Sequence, residues 1–215
     1  PHAPTETAPA ARRELRGLPA VLGTGDHKTI RRIWIGAAAL FLVAGVVVGA
    51  LLGFERVSTD GLEVLGSGHV LQFFSLYHVA LAFLVVIPLF TGLATAIAPL
   101  QVGAASIAFP RAAAAALWSW FGGAILVCLS YAIDGGPGGG DPDAVALWVL
   151  AVGMVVVGLL LASVCVVTTV LALRTPQMSL LQVPPFAWSM VVAGVIWLVS
   201  LPVLLAGLLL AYLDL

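Results

Sequence analysis

Five apolar runs, each close to or above the roughly 20 residues needed to cross a hydrocarbon core, constrain this chain more than any other feature. They lie near Ile33 to Phe54, Phe73 to Leu100, Ala112 to Ile133, Ala144 to Leu173 and Pro185 to Leu213. Only 9% of the residues are charged and the mean hydropathy is +1.13, whereas a soluble domain carries roughly a quarter charged residues. A water-soluble fold is excluded, and lipid is the solvent for most of the chain. The expected fold class is all-α: a polytopic membrane helical bundle with five transmembrane helices. Pro88 lies inside the second run and Pro202 inside the fifth. Each removes a backbone donor, so tilted or kinked helices are expected.

The charges assign the ends of the runs to two sides. Of nine Lys and Arg residues, all but Arg56 precede the first run or fall in the second–third and fourth–fifth connections. Glu55, Asp60, Glu63, Asp134, Asp141 and Asp143 occupy the other connections. The positive-inside rule therefore places the N-terminus in the cytoplasm and the C-terminus outside. Residues 1–30 lack apolar periodicity and a secretory core, and read as a mobile cytoplasmic tail ahead of a membrane domain over 31–215. The glycine-rich segment from Gly135 to Asp143 cannot hold a helix and reads as an external loop. Gly45 and Gly49 form a Gly-x-x-x-Gly pair suited to close helix packing. Most of the six tryptophans read as interfacial anchors. Cys128 and Cys165 read as unpaired packing residues. The net charge of −1 gives no footprint for nucleic acid.

Several short motifs recur in one order from Asp26 onward. They are Asp26-His-Lys-Thr-Ile30, Pro88-Leu-Phe90, Pro99-Leu-Gln-Val-Gly-Ala104 and Ala108-Phe-Pro-Arg111, then Thr168 to Met178, Pro185-Phe-Ala-Trp188 and Leu201-Pro-Val-Leu204. In order and spacing this series resembles subunit I of the heme-copper oxidases, the core of cytochrome c oxidases, over its helices one to five. The resemblance implies a membrane-embedded place in a respiratory electron-transfer complex, with the lipid bilayer and other membrane subunits as partners. In the family the copper-binding histidines lie on later helices, so no copper site is expected in this chain.

Heme is the cofactor the resemblance brings in. The family's second helix carries Met-His-Gly, whose histidine is an axial heme ligand. Counting back from Pro88, the matching residues are Leu76, Tyr77 and His78. Tyr77 thus occupies the ligand position, and His78 follows one residue, about 100° of helix, later. His78 is the candidate heme ligand of the chain, since an intramembrane imidazole is a functional candidate by default, with a neutral histidine hydrogen-bonded to a neighbouring helix as its plain alternative. Tyr77 is the weaker candidate, with aromatic packing as its plain alternative. His69, nine residues earlier, falls about 180° around the same helix. The family's proton-uptake positions are occupied by Ser106, Thr95, Ala113 and Cys165, and the position of its heme-contacting arginine by Gly53. A hydroxyl cannot replace a carboxylate as a charged proton collector. Two functions are therefore expected: a non-catalytic scaffold subunit, or the N-terminal half of a split oxidase whose later helices come from a second chain. A small transporter ranks below both, because no run is interrupted around a charged midplane pair.

Overall fold

The computed structural model describes residues 27–57 and 69–215, and among these the regular structure is entirely helical. The expected tail over 1–26, with His2, and the acidic positions Asp60 and Glu63 lie outside the described residues. Five helices are long and apolar enough to cross a membrane. They are α1 (His27–Val57), α2 (Val70–Val102), α3 (Pro110–Ala132), α4 (Pro142–Ala172) and α5 (Pro185–Leu213). The chain is an integral membrane protein. The first helix takes up His27 to Ile30, which the sequence reading assigned to the tail. Three helices begin on proline, where the missing N–H is one of the unpaired first-turn donors anyway. Asp141 caps α4, its Oδ1 accepting from the backbone N–H of Asp143 at 2.9 Å and of Ala144 at 3.4 Å.

Helix α4 is the centre of the bundle and α1 its most open member. Small residues decide how closely the helices approach. A Cβ added at Gly123 would lie 2.8 Å from the Val155 backbone nitrogen, and one at Gly158 would lie 2.6 Å from that of Trp120, so α3 and α4 touch along their backbones. Gly92 gives the same approach between α2 and α1, where a Cβ would meet Trp34 Cβ at 2.8 Å. The Gly45–Gly49 pair departs from the expected packing role: Gly45 faces open space, and Gly49 meets only the Tyr77 ring.

Pro88 shapes α2. The seven residues Ala80–Val86 form a widened π turn, and the Ile87 N–H donates to the carbonyl of Ala82, five residues back. In that register the Phe83 carbonyl would next look to residue 88, which has no N–H. The Trp120 indole supplies the missing donor, Nε1 to Phe83 O at 2.9 Å. Trp120 is fully buried and Trp34 nearly so, with ring centroids 4.5 Å apart. These two tryptophans are not among the anchors: they form the core where α1, α2 and α3 meet. Cys165 is buried, whereas Cys128 faces outward, and both are free. The packing role expected of Cys128 is corrected accordingly.

Two outcomes follow for stability in detergent or bilayer. Trp120→Phe keeps most of the apolar area but leaves the Phe83 carbonyl without a partner, and is expected to cost about 1–3 kcal/mol. Gly158→Val should also cost about 1–3 kcal/mol by overpacking α3 against α4, whereas Gly45→Val, in open space, should leave the unfolding midpoint unchanged. Equal effects at the two glycines would contradict this packing.

Candidate functional site: a groove between the first two membrane helices

Tyr77 and His78 lie two turns into α2, about 12 Å from its first residue at 1.5 Å per residue. They sit on the side of the bundle that carries the α1–α2 and α3–α4 connections. They line a groove of about 490 Å³ with Phe74 from their own helix and Val46, Gly49, Leu52 and Gly53 from α1. That volume is in the range of small-molecule and cofactor sites.

The glycines make the groove. Tyr77 lies against α1: a Cβ added at Gly49 would come within 3.0 Å of its Cε2, closer than ordinary van der Waals contact. At Gly53 nothing comes within 4 Å of an added Cβ, so the wall opens there. His78 was expected to turn onto another face, one helical step past Tyr77. Instead both rings border the same groove, because the groove is wider than the arc of one residue. Side chains on a helix also lean toward its N-terminus, which brings His78 back over Phe74.

The His78 ring has a defined proton arrangement. Its Nδ1 is 2.8 Å from the Phe74 carbonyl, and a carbonyl can only accept, so Nδ1 carries the hydrogen. In the neutral ring Nε2 then holds the free lone pair. The ring packs at 4.3 Å from the Phe74 ring and edge-on to Tyr77 at 5.5 Å. His78 is exposed, and among the described residues Nε2 has no hydrogen-bond partner. An imidazole fixed through Nδ1–H to a carbonyl is how proteins orient metal-ligating histidines. His69 lies outside the groove, exposed at the start of α2. Among the described residues no three His, Cys, Asp or Glu side chains gather into a metal-binding group.

The polar positions compared with the family's proton route are not joined to each other. The Thr95 hydroxyl donates to the Thr91 carbonyl at 2.9 Å, and Thr91 to Ile87 at 2.8 Å, each one turn back along α2. Ala113 and Cys165 are buried, and Ser106 lies in the α2–α3 connection. Ser163 and Thr169 likewise donate back along α4, as expected for hydroxyls in membrane helices. Thr169 also accepts from the Ala108 N–H at 2.8 Å and so ties the α2–α3 connection to α4.

The sequence reading missed a second polar junction. Gln72 Nε2 donates to Asp134 Oδ1 at 2.6 Å, and Asp134 Oδ2 accepts from the Gly140 N–H at 3.0 Å. The loop can make this turn because Gly136 adopts a left-handed φ of 87°, and because any side chain at Gly139 would strike the Asp134 carbonyl. The one signal for the junction was an amide, Gln72, near the start of an apolar run.

Fold and groove together define a polytopic helical membrane protein with one oriented imidazole between its first two helices. The chain matches the family described as "Cytochrome C and Quinol oxidase polypeptide I" over residues 29–215. It therefore belongs to the heme-copper oxidase subunit I family. Among similar proteins is a "Probable cytochrome c oxidase subunit 1-alpha" of Streptomyces avermitilis, 32% identical over 202 residues, covering 87% of this chain and 34% of the relative. A protein of the same description from Streptomyces coelicolor is 32% identical over 206 residues, covering 87% and 35%. The "Quinol oxidase subunit 1" of Bacillus subtilis is 28% identical over 204 residues, covering 89% and 31%. The chain thus spans about a third of the length of these relatives.

The orientation of His78 has a direct check. Because Nδ1 is held by a backbone carbonyl and Nε2 faces the groove, a membrane-soluble alkylating or acylating reagent is expected to modify His78 at Nε2. Modification at Nδ1 would contradict the arrangement.

Proposed function

We propose that this chain is a scaffold segment of a respiratory electron-transfer complex, built on the first five helices of an oxidase subunit I and not catalytic by itself. It would reside in a bacterial cytoplasmic membrane with its N-terminus in the cytoplasm, in keeping with the charge asymmetry of its connections. The observation that carries the reading is the groove between α1 and α2. The helices that frame it are kept, while Tyr77 packed on Gly49 fills the position where the family has its ligand. Ser106, Thr95 and Ala113 leave the compared proton route without a carboxylate. Its partners would be other membrane subunits of the complex.

One observation favours a second reading, in which the segment works with the later oxidase helices, on a second chain, as an oxygen-reducing oxidase. That observation is the free Nε2 of His78. The groove is mostly apolar and carries one nitrogen donor, so His78 would hold a heme there, and any further ligand would come from helices beyond these five. Bound there, heme would supply one-electron transfer. What this chain contributes is the fixed imidazole, the Phe74 carbonyl that keeps its Nδ1 protonated, and the apolar wall that excludes water.

The experiment that separates the readings is mild-detergent purification of the native complex, with subunit identification and heme counting in parent and His78→Ala forms. The scaffold reading expects respiratory membrane subunits to co-purify and the heme content to stay unchanged on substitution. Loss of one low-spin heme per complex, with subunit composition intact, would replace it by the split-oxidase reading. Purification without any respiratory subunit would contradict both.

A further inference from the structure

We propose that the connection between α4 and α5 is an interfacial membrane anchor, with Leu180 and Leu181 in the acyl layer of an anionic bilayer and Arg174 at the level of its headgroups. Leu181 is 97% exposed and Leu180 is 40% exposed. They are held outward by a built turn: the Ser179 N–H donates to Gln182 Oε1 at 3.0 Å, and the Gln182 N–H returns to the Ser179 carbonyl at 3.0 Å. The turn is fastened to the bundle on both sides. The Thr175 N–H donates to the Val102 carbonyl at 3.0 Å, and Val183 packs with Ala98, Val102 and Val170 in a buried cluster. Downstream, the Ala187 N–H donates to Gln101 Oε1 at 3.0 Å, which fixes the start of α5.

These ties set the depth of the leucines. The turn joins the ends of two spanning helices and is bonded to the end of a third, so it lies at the boundary between hydrocarbon and headgroups. A turn tied down in this way cannot fold its leucines under the bundle, and they face the medium beside the ends of α4 and α5.

Charge selects the kind of lipid. Among the described residues, Lys28, Arg31, Arg32, Arg111 and Arg174 all lie on this side of the bundle, and neither this connection nor the α2–α3 connection contains Asp or Glu. Glu55, Asp134, Asp141, Asp143 and Asp214 lie toward the opposite side. Arg174 donates from Nε to the Met178 carbonyl at 3.1 Å and from Nη1 to the Leu171 carbonyl. Two of its five N–H donors are thereby used to fix the guanidinium, and three remain for a phosphate. Juxtamembrane cations of this kind are drawn to anionic leaflets. Short apolar side chains beside them add the burial that holds an interfacial segment in place.

The test places a nitroxide on cysteine at Leu181→Cys, and for reference at Gln177→Cys, in a Cys128→Ser background within the native complex. The complex is reconstituted in phosphatidylcholine vesicles with and without phosphatidylglycerol. Collision rates are then read with oxygen, which concentrates in the acyl layer, and with a water-soluble nickel chelate. The anchor predicts a ratio of oxygen to nickel collisions severalfold higher at 181 than at 177, with a further rise when phosphatidylglycerol is present. Strong nickel collisions at 181 would place the leucine in water and overturn the proposal. Protection from both agents would mean that another protein covers the turn, and would overturn it equally. An identical depth in the two vesicle types would remove the preference for anionic lipid.

Discussion

In a bilayer every backbone N–H and C=O must find its partner within protein, because lipid offers none and each failure costs several kcal/mol. Pro88 breaks that rule in the middle of α2, and the rest of the bundle is arranged around the repair. The widened turn over Ala80–Val86 moves the unpaired acceptor onto the Phe83 carbonyl, and Trp120 reaches across from α3 to satisfy it. Trp120 can sit there only if α3 and α4 lie close, which Gly123 and Gly158 allow, and if α1 offers Trp34 as a stacking surface. One missing hydrogen thus fixes the mutual placement of four helices.

That placement also creates the groove at His78. With α1 drawn to α2 at Gly92, the groove opens nearer their other ends, where Gly49 and Gly53 thin the α1 wall between Val46 and Leu52. Tyr77 fills part of the space and His78 borders the remainder. The His78 ring is oriented by a backbone carbonyl one turn earlier and does not depend on any loop. The groove is therefore a property of the helical frame.

Much of this architecture was legible before any coordinates. The spans followed from hydropathy, but not all their first residues: α3 and α4 begin on Pro110 and Pro142, two residues ahead of the apolar runs at Ala112 and Ala144. The family emerged from motif order, because spacing survives where individual letters change. The form of the bend at Pro88 was not legible: sequence marks the missing donor but not which residue compensates. Glycine contacts were equally opaque, as small residues are spread along every helix and only the neighbour's position separates Gly158, in tight contact, from Gly45, in open space. At the candidate site, spacing pointed to Tyr77 and His78, and both line the groove. The width of the groove, which lets both rings border it, depends on α1 and so lies outside any reading of α2 alone.

We propose that these five helices form an oxidase-type frame that offers, among the described residues, one oriented imidazole, His78, where a low-spin iron centre needs two ligands. The most direct measurement is a pyridine hemochrome assay, paired with an optical spectrum, on this chain purified free of every other subunit and supplied with heme. With one imidazole in place, the expected result is substoichiometric heme and no low-spin bands. One heme per chain with a bis-ligated low-spin spectrum would contradict it.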